Sequence, residues 1–148
     1  MSYKYYDEHA QEFFESTINA DMSELIKKFT SYLEPGAHIL DAGSGVGRDT
    51  KTFLEMGYKV SAFDASTEMV RISTEYTGIK TRLLKFEEMD YNEKFDAIWA
   101  CASLLHVSEA KLEEIIVKLL SFVVEGGVVF LSFKNIEKNY EKDGRVFT

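Results

Sequence analysis

The stretch Ile39-Leu40-Asp41-Ala42-Gly43-Ser44-Gly45-Val46-Gly47-Arg48-Asp49 decides the fold of this chain. A short hydrophobic run enters a Gly-x-Gly-x-Gly turn, and the turn opens a helix. Gly43 and Gly45 reach backbone conformations closed to other residues and let a ligand approach the main chain closely. The spacing is not the Gly-x-Gly-x-x-Gly of dinucleotide folds, because Arg48 stands where the third glycine belongs. Nor does a Gly-Lys-Ser/Thr follow, which excludes a P-loop. Asp41, just before the turn, would repel a diphosphate and suits a ligand that carries an ammonium group.

Working outward, the next strand ends in Val60-Ser61-Ala62-Phe63-Asp64-Ala65-Ser66. Asp64 lies about 20 positions beyond the glycines, where an acidic residue holds the ribose hydroxyls of an adenosine-type ligand. The competing reading is a solvated Asp before a helix cap, and the spacing favours the ribose.

The rest of the chain repeats the alternation. Residues 7–18 and 22–33 read as helices, the second with a capping box at Asp21 and Glu24. Its Met22, Leu25, Ile26, Phe29 and Leu33 share one face. Pro35-Gly36 then separates elements. Strands are predicted at 37–41, 58–64, 79–85, 95–100 and 128–133. Helices are predicted at 46–56, at 66–76 with Ser66 as N-cap, and at 108–124. The last carries a stripe of Leu112, Ile115, Ile116, Leu119, Leu120 and Val123. Gly126-Gly127 reads as a break before the fifth strand. Alternation of this kind predicts an α/β, Rossmann-like doubly wound sheet, mostly parallel, of about five strands with helices on both faces. Ligands of such sheets sit beyond the C-terminal strand ends, at the switch in strand order. Function is therefore expected in the loops at 41–47, 64–66, 86–91 and 100–107.

Composition narrows the class. The 148 residues suit one domain, and a net charge of −8 with no basic cluster argues against nucleic acid as partner. No apolar run reaches the roughly 18–20 residues of a membrane span, and the polar N-terminus lacks a signal-peptide core. Cys101 is the single cysteine, so no disulfide forms within the chain and a cytoplasmic setting is expected. A small buried residue is the favoured reading of it.

Three segments together resemble the class I S-adenosylmethionine (SAM) methyltransferases: Ile39–Asp49, the stretch 57–66, and Phe95-Asp96-Ala97-Ile98-Trp99-Ala100-Cys101-Ala102-Ser103-Leu104-Leu105-His106-Val107. The likeness is to the small bacterial branch of tellurite-resistance-like and thiopurine-like enzymes. Tyr5-Tyr6-Asp7 and Asp21-Met22-Ser23 resemble that branch's N-terminal cap. The resemblance implies a helical cap at 1–35, an α/β core at 36–133 and a tail at 134–148, all in one domain.

It also implies roles. SAM is the cofactor, S-adenosylhomocysteine the product, and no metal takes part. Asp41 and the backbone of Gly43, Ser44, Gly45 and Gly47 would surround the methionine part. Asp64 would hold the ribose, with Ala65 and Met69 beside it. Phe86, Glu87 and Met89 would line the adenine, with Glu88 competing for the role of Glu87. Ala100 would offer its carbonyl to the ammonium. Cys101, Leu105 and His106 would lie near the methyl group, His106 being the candidate general base, with packing or capping as its other reading. Tyr5 and Tyr6 would cover the cofactor carboxylate or pack as a lid. Arg48 has two readings, a bond to that carboxylate or a structural pair with Asp49 or Asp41, and the structural pair is favoured.

The family usually continues into a C-terminal antiparallel hairpin beside strand five. Here that hairpin is expected to be missing, through truncation or natural shortening. The exposed edge at 128–133 would then be covered by the tail, by a second copy in a homodimer, or by a domain swap. The expected activity is methyl transfer from SAM to a small-molecule acceptor. The alternative is a non-catalytic SAM- or S-adenosylhomocysteine-binding domain. Asp41 and Arg48 disfavour a nicotinamide-dependent oxidoreductase.

Overall fold

The computed structural model describes residues 22–101, 109–133 and 142–147. In chain order the elements are α1 (Ser23–Thr30), β1 (His38–Ala42), α2 (Arg48–Glu55), β2 (Lys59–Asp64), α3 (Thr67–Thr77) and β3 (Arg82–Leu83). A 3-10 turn at Phe86–Glu88 follows, then β4 (Phe95–Cys101), α4 (Glu109–Ser121), β5 (Val123–Phe133) and β6 (Lys142–Phe147). The strands form one sheet in the order β3-β2-β1-β4-β5-β6. All neighbours from β3 to β5 run parallel, and β6 is antiparallel to β5. The order reverses between β1 and β4, which places the ligand crevice at their C-terminal ends.

Side chains alternate across the sheet and bury both faces. One face carries Ile39, Val60, Ala97, Trp99, Val128 and Phe130 against Ile26 and Phe29 of α1 and Phe53 of α2. The other carries Leu40, Ala42, Phe63, Ile98, Ala100, Val129 and Leu131 against Ile115 and Leu119 of α4, with Phe86 and Met89. The stripes read from α1 and α4 are the faces that pack, except that Leu33 lies beyond α1 and that Val123, read as the end of the stripe of a helix over 108–124, begins β5 because α4 ends at Ser121.

Several boundaries differ from the sequence reading. The helix expected over 22–33 ends at Thr30, where Ser31 N–H bonds back to Lys27 and Lys28 and closes the last turn. Its N-cap is Met22, with no side-chain cap, and the capping-box Asp21 lies outside the described residues. The helix expected from 46 starts at Arg48, because Gly47 is left-handed at φ 95° and belongs to the turn. The strand expected over 79–85 shrinks to Arg82–Leu83, both exposed. It is an edge strand that pairs with β2 alone.

The fifth strand begins at Val123, five positions ahead of the expected start. Gly126-Gly127 does not break it. The β4–β5 register shifts between Phe95 and Ala97 there, so the glycines sit in an irregularity of a continuing strand. A Cβ on Gly127 would collide with the Val123 side chain and lie 2.7 Å from the Asp96 carbonyl oxygen. The C-terminal hairpin expected to be missing is represented by one strand. β6 pairs with β5 from Val128↔Phe147 to Phe133↔Lys142, so the chain's own tail covers this edge. The expected helix at 7–18 lies outside the described residues.

Candidate functional site

The glycine turn is held in front by β2. Gly43 and Ser44 both donate their N–H to the Phe63 carbonyl at 2.9 Å. Gly45 donates to Asp64 Oδ1 at 2.9 Å. Gly43 and Gly45 take φ of 72° and 60°, the left-handed region that favours glycine. Gly47 has a second reason to be glycine. A Cβ there would stand 2.7 Å from Thr77 Cγ2 and 3.1 Å from Ser73 Cβ. The turn is thus also the place where α2 and α3 approach closely.

Asp64 ends β2, half-buried. Its second oxygen accepts the Ser66 N–H at 3.1 Å. The Ser66 hydroxyl in turn accepts the Met69 N–H at 3.3 Å and caps α3, as the sequence predicts. Two backbone donors therefore fix the carboxylate at the strand end.

Asp41 is buried at 2% exposure. Its Oδ2 accepts the Thr50 hydroxyl at 2.6 Å. Burial first, and the Asp49 charge second, push its pKa up to about 8 against the opposing effects of Thr50 and Arg48. A buried carboxyl this reluctant to ionise marks a place where an added positive charge is favoured. The Asp41 side chain is turned onto α2 by its bond to Thr50.

Arg48 is paired with Asp49. Its Nε donates to Asp49 Oδ1 at 2.8 Å and its Nη2 to Asp49 Oδ2 at 3.0 Å. Burial pulls the Arg48 pKa down, but the bonds and charge of Asp49 outweigh it and the net shift is upward. Asp49 Oδ2 also accepts the Trp99 indole N–H at 2.8 Å.

The third loop is built as a 3-10 turn. Glu88 Oε1 accepts the Lys85 N–H at 2.9 Å. Both neighbouring glutamates are exposed, and Glu88 is the one whose carboxylate is engaged in the turn. The Glu87 carbonyl accepts Lys118 Nζ of α4 at 2.6 Å. Phe86 and Met89 are buried, and Phe86 packs edge-on to Phe63 with centroids 5.3 Å apart. Ala65 is half-buried and Met69 buried. Ala100 is fully buried at the end of β4, and Cys101 beside it is half-buried.

The strand ends therefore bring together Asp41, Gly43, Ser44, Gly45, Gly47, Asp64, Ala65, Ala100 and Cys101. Phe86, Glu87 and Met89 follow β3. Tyr5, Tyr6, Leu105 and His106 lie outside the described residues. The sequence reading missed Thr50 and Trp99. The available signal was that a buried Trp N–H and a buried carboxylate each require a partner. No group of three or more potential metal ligands occurs among the described residues.

A family profile described as a methyltransferase domain matches residues 39–127. An uncharacterised methyltransferase of Staphylococcus carnosus is 24% identical over 139 residues, covering 88% of this chain and 67% of that protein. A ubiquinone biosynthesis O-methyltransferase of Xanthomonas campestris is 29% identical over 108 residues, covering 68% of this chain. The chain spans 44% of the length of that relative. The crystal structure of magnesium protoporphyrin IX methyltransferase from Synechocystis with bound SAM superimposes with a TM-score of 0.76 at 17% identity. That match covers 92% of this chain and 76% of the other.

Proposed function

The chain belongs to the methyltransferase-domain family, within the class I SAM-dependent methyltransferases, and from that premise we propose that it transfers a methyl group from SAM to a small-molecule acceptor. The observation that carries the proposal is the Asp64 carboxylate. Gly45 and Ser66 amides hold it at the end of β2, beside a glycine turn of positive φ. This set fits the cofactor. A fixed carboxylate accepts a sugar diol, bare main chain admits an amino-acid tail, and a buried Asp41 favours a cation.

In this reading Asp64 holds the ribose, with Ala65 and Met69 beside it. Gly43, Ser44, Gly45 and Gly47 pass along the methionine part. Asp41, protonated in the free protein below about pH 8, is favoured to ionise beside the ligand's cation, and the Ala100 carbonyl receives the ammonium. The exposed Glu87 reads the adenine amine, with Phe86 and Met89 forming the buried wall behind it. Cys101 borders the methyl group. Tyr6 and His106 would complete the site as carboxylate cover and candidate base. The branch assignment to tellurite-resistance-like or thiopurine-like enzymes belongs to this proposal and rests on the motifs quoted above.

When bound, SAM supplies a methyl carbon already made electrophilic by its sulfonium. The chain contributes binding, orientation and exclusion of water. Orientation alone is worth roughly 7–11 kcal/mol of barrier in favourable cases. A small-molecule acceptor agrees with the names of the ubiquinone and protoporphyrin methyltransferases, which describe those proteins' own reactions. The test is transfer of label from methyl-labelled SAM to a panel of phenols, amines and thiols. Label in an acceptor supports the proposal. Saturable SAM binding with no transfer to any acceptor replaces it with the non-catalytic binding domain.

A further inference from the structure

We infer that Trp99 and Asp49 are positioning residues for the exit of the glycine turn, acting through the bond between the indole N–H and the carboxylate. The inference rests on the cofactor reading of that turn and adds residues that reading does not use.

The turn has two halves with different anchors. Its front half is tied to β2 by three backbone amides, those of Gly43 and Ser44 on the Phe63 carbonyl and that of Gly45 on Asp64, and by the Ser44 hydroxyl on the same carbonyl. Its rear half runs into the first turn of α2. There, two consecutive side chains are tied back to the two strands that flank the switch point. Thr50 donates to Asp41 of β1 at 2.6 Å. Asp49 accepts Trp99 of β4 at 2.8 Å. Asp41 and Trp99 are themselves register partners across β1 and β4. Both bonds therefore arise from one row of the sheet, and together they set the position of α2 over the strand ends.

Trp99 is suited to hold rather than to be held. It is fully buried. Its ring stacks on Phe130 at 4.3 Å and 20°, and meets the rings of Phe29 at 4.9 Å and Phe53 at 5.4 Å. Packing on three sides fixes the direction of its N–H. Asp49, at 6% exposure, has both oxygens committed, one to Arg48 and one shared by Arg48 and Trp99. Removing the indole N–H leaves a buried carboxylate one donor short and frees α2 to shift relative to β4.

Trp99 is the single tryptophan of the chain, so its indole N–H gives one resonance in a nitrogen–proton correlation spectrum. The test titrates S-adenosylhomocysteine into full-length labelled protein. It then compares Trp99→Phe, which keeps a ring and deletes the donor, with Val123→Ala, which loosens the core on the opposite face of the sheet and leaves the packing of Trp99 and its donor in place. The indole resonance is expected to move on saturation. Trp99→Phe is expected to bind on the order of tenfold more weakly, the size of one bond to a charged group. Val123→Ala is expected to melt lower and bind like the wild type. If Trp99→Phe does not fold, Asp49→Ala reads the same bond from the other side, since it removes the acceptor of the indole N–H together with that of Arg48. Normal affinity in whichever of these folds, or an equal loss in Val123→Ala, overturns the positioning role and leaves the cofactor reading standing. Failure of the wild type to bind overturns both.

Discussion

Asp41 is the residue whose chemistry is furthest from ordinary. Unfolded, its carboxyl titrates near 3.8; folded, burial and then the Asp49 charge push it up to about 8. Between those values the native state keeps a proton that the unfolded chain has released. Stability therefore falls as pH climbs through that window and levels off above about 8. Asp41→Asn keeps an acceptor for the Thr50 hydroxyl and removes the titration. Its melting temperature is expected to change less between pH 5 and 8 than that of the wild type. Parallel melting profiles for the two proteins would contradict the account. A cation in the crevice favours the ionised carboxylate, so SAM affinity is expected to rise with pH towards 8, and Asp41→Asn to flatten that rise. The position of Asp41 before the glycines was readable from sequence. Its burial and its turn onto Thr50 were not, because both depend on where α2 lies over the sheet.

At the scale of elements, the glycine turn and its two helices form one unit. Gly47→Ala meets a positive φ and a 2.7 Å approach to Thr77 Cγ2. A loss of roughly 1–3 kcal/mol is expected in chemical denaturation. Adding Thr77→Ser removes the colliding methyl and keeps the hydroxyl bond to Ser73 O. The double variant is expected to recover part of the loss; no recovery would mean that backbone strain accounts for all of it. Ser66→Ala removes the α3 cap and is expected to cost about 1 kcal/mol. β1 and β2 were legible because their apolar runs end at a glycine turn and at a carboxylate, and β4 because Ala97-Ile98-Trp99-Ala100 is a short apolar run of strand length. β3 was overread, since Ile79–Lys85 has the composition of a strand but only Arg82–Leu83 finds a partner in β2. The start of β5 was missed because paired glycines signal a break, whereas a neighbouring strand can absorb them as an irregularity.

At the scale of the molecule, the sheet order follows from the crossover pattern, and the crevice from the sheet order. The placement of the tail does not. Nothing local in Lys142–Phe147 announces a strand, and its pairing with β5 is a long-range outcome. Removing 134–148 is expected to expose the β5 edge and cause association, seen by light scattering after size-exclusion chromatography. A dispersed, folded monomer after truncation would show that β6 is dispensable as a cover. Among the described residues no helix is long and apolar enough to cross a membrane. The central claim is that Asp64 and the glycine turn hold an adenosyl ligand, and calorimetric titration of S-adenosylhomocysteine tests it most directly. The account predicts saturable one-to-one binding by the wild type and a loss of at least tenfold in a folded Asp64→Ala variant. Equal affinity in the two proteins, or no binding by the wild type, would contradict it.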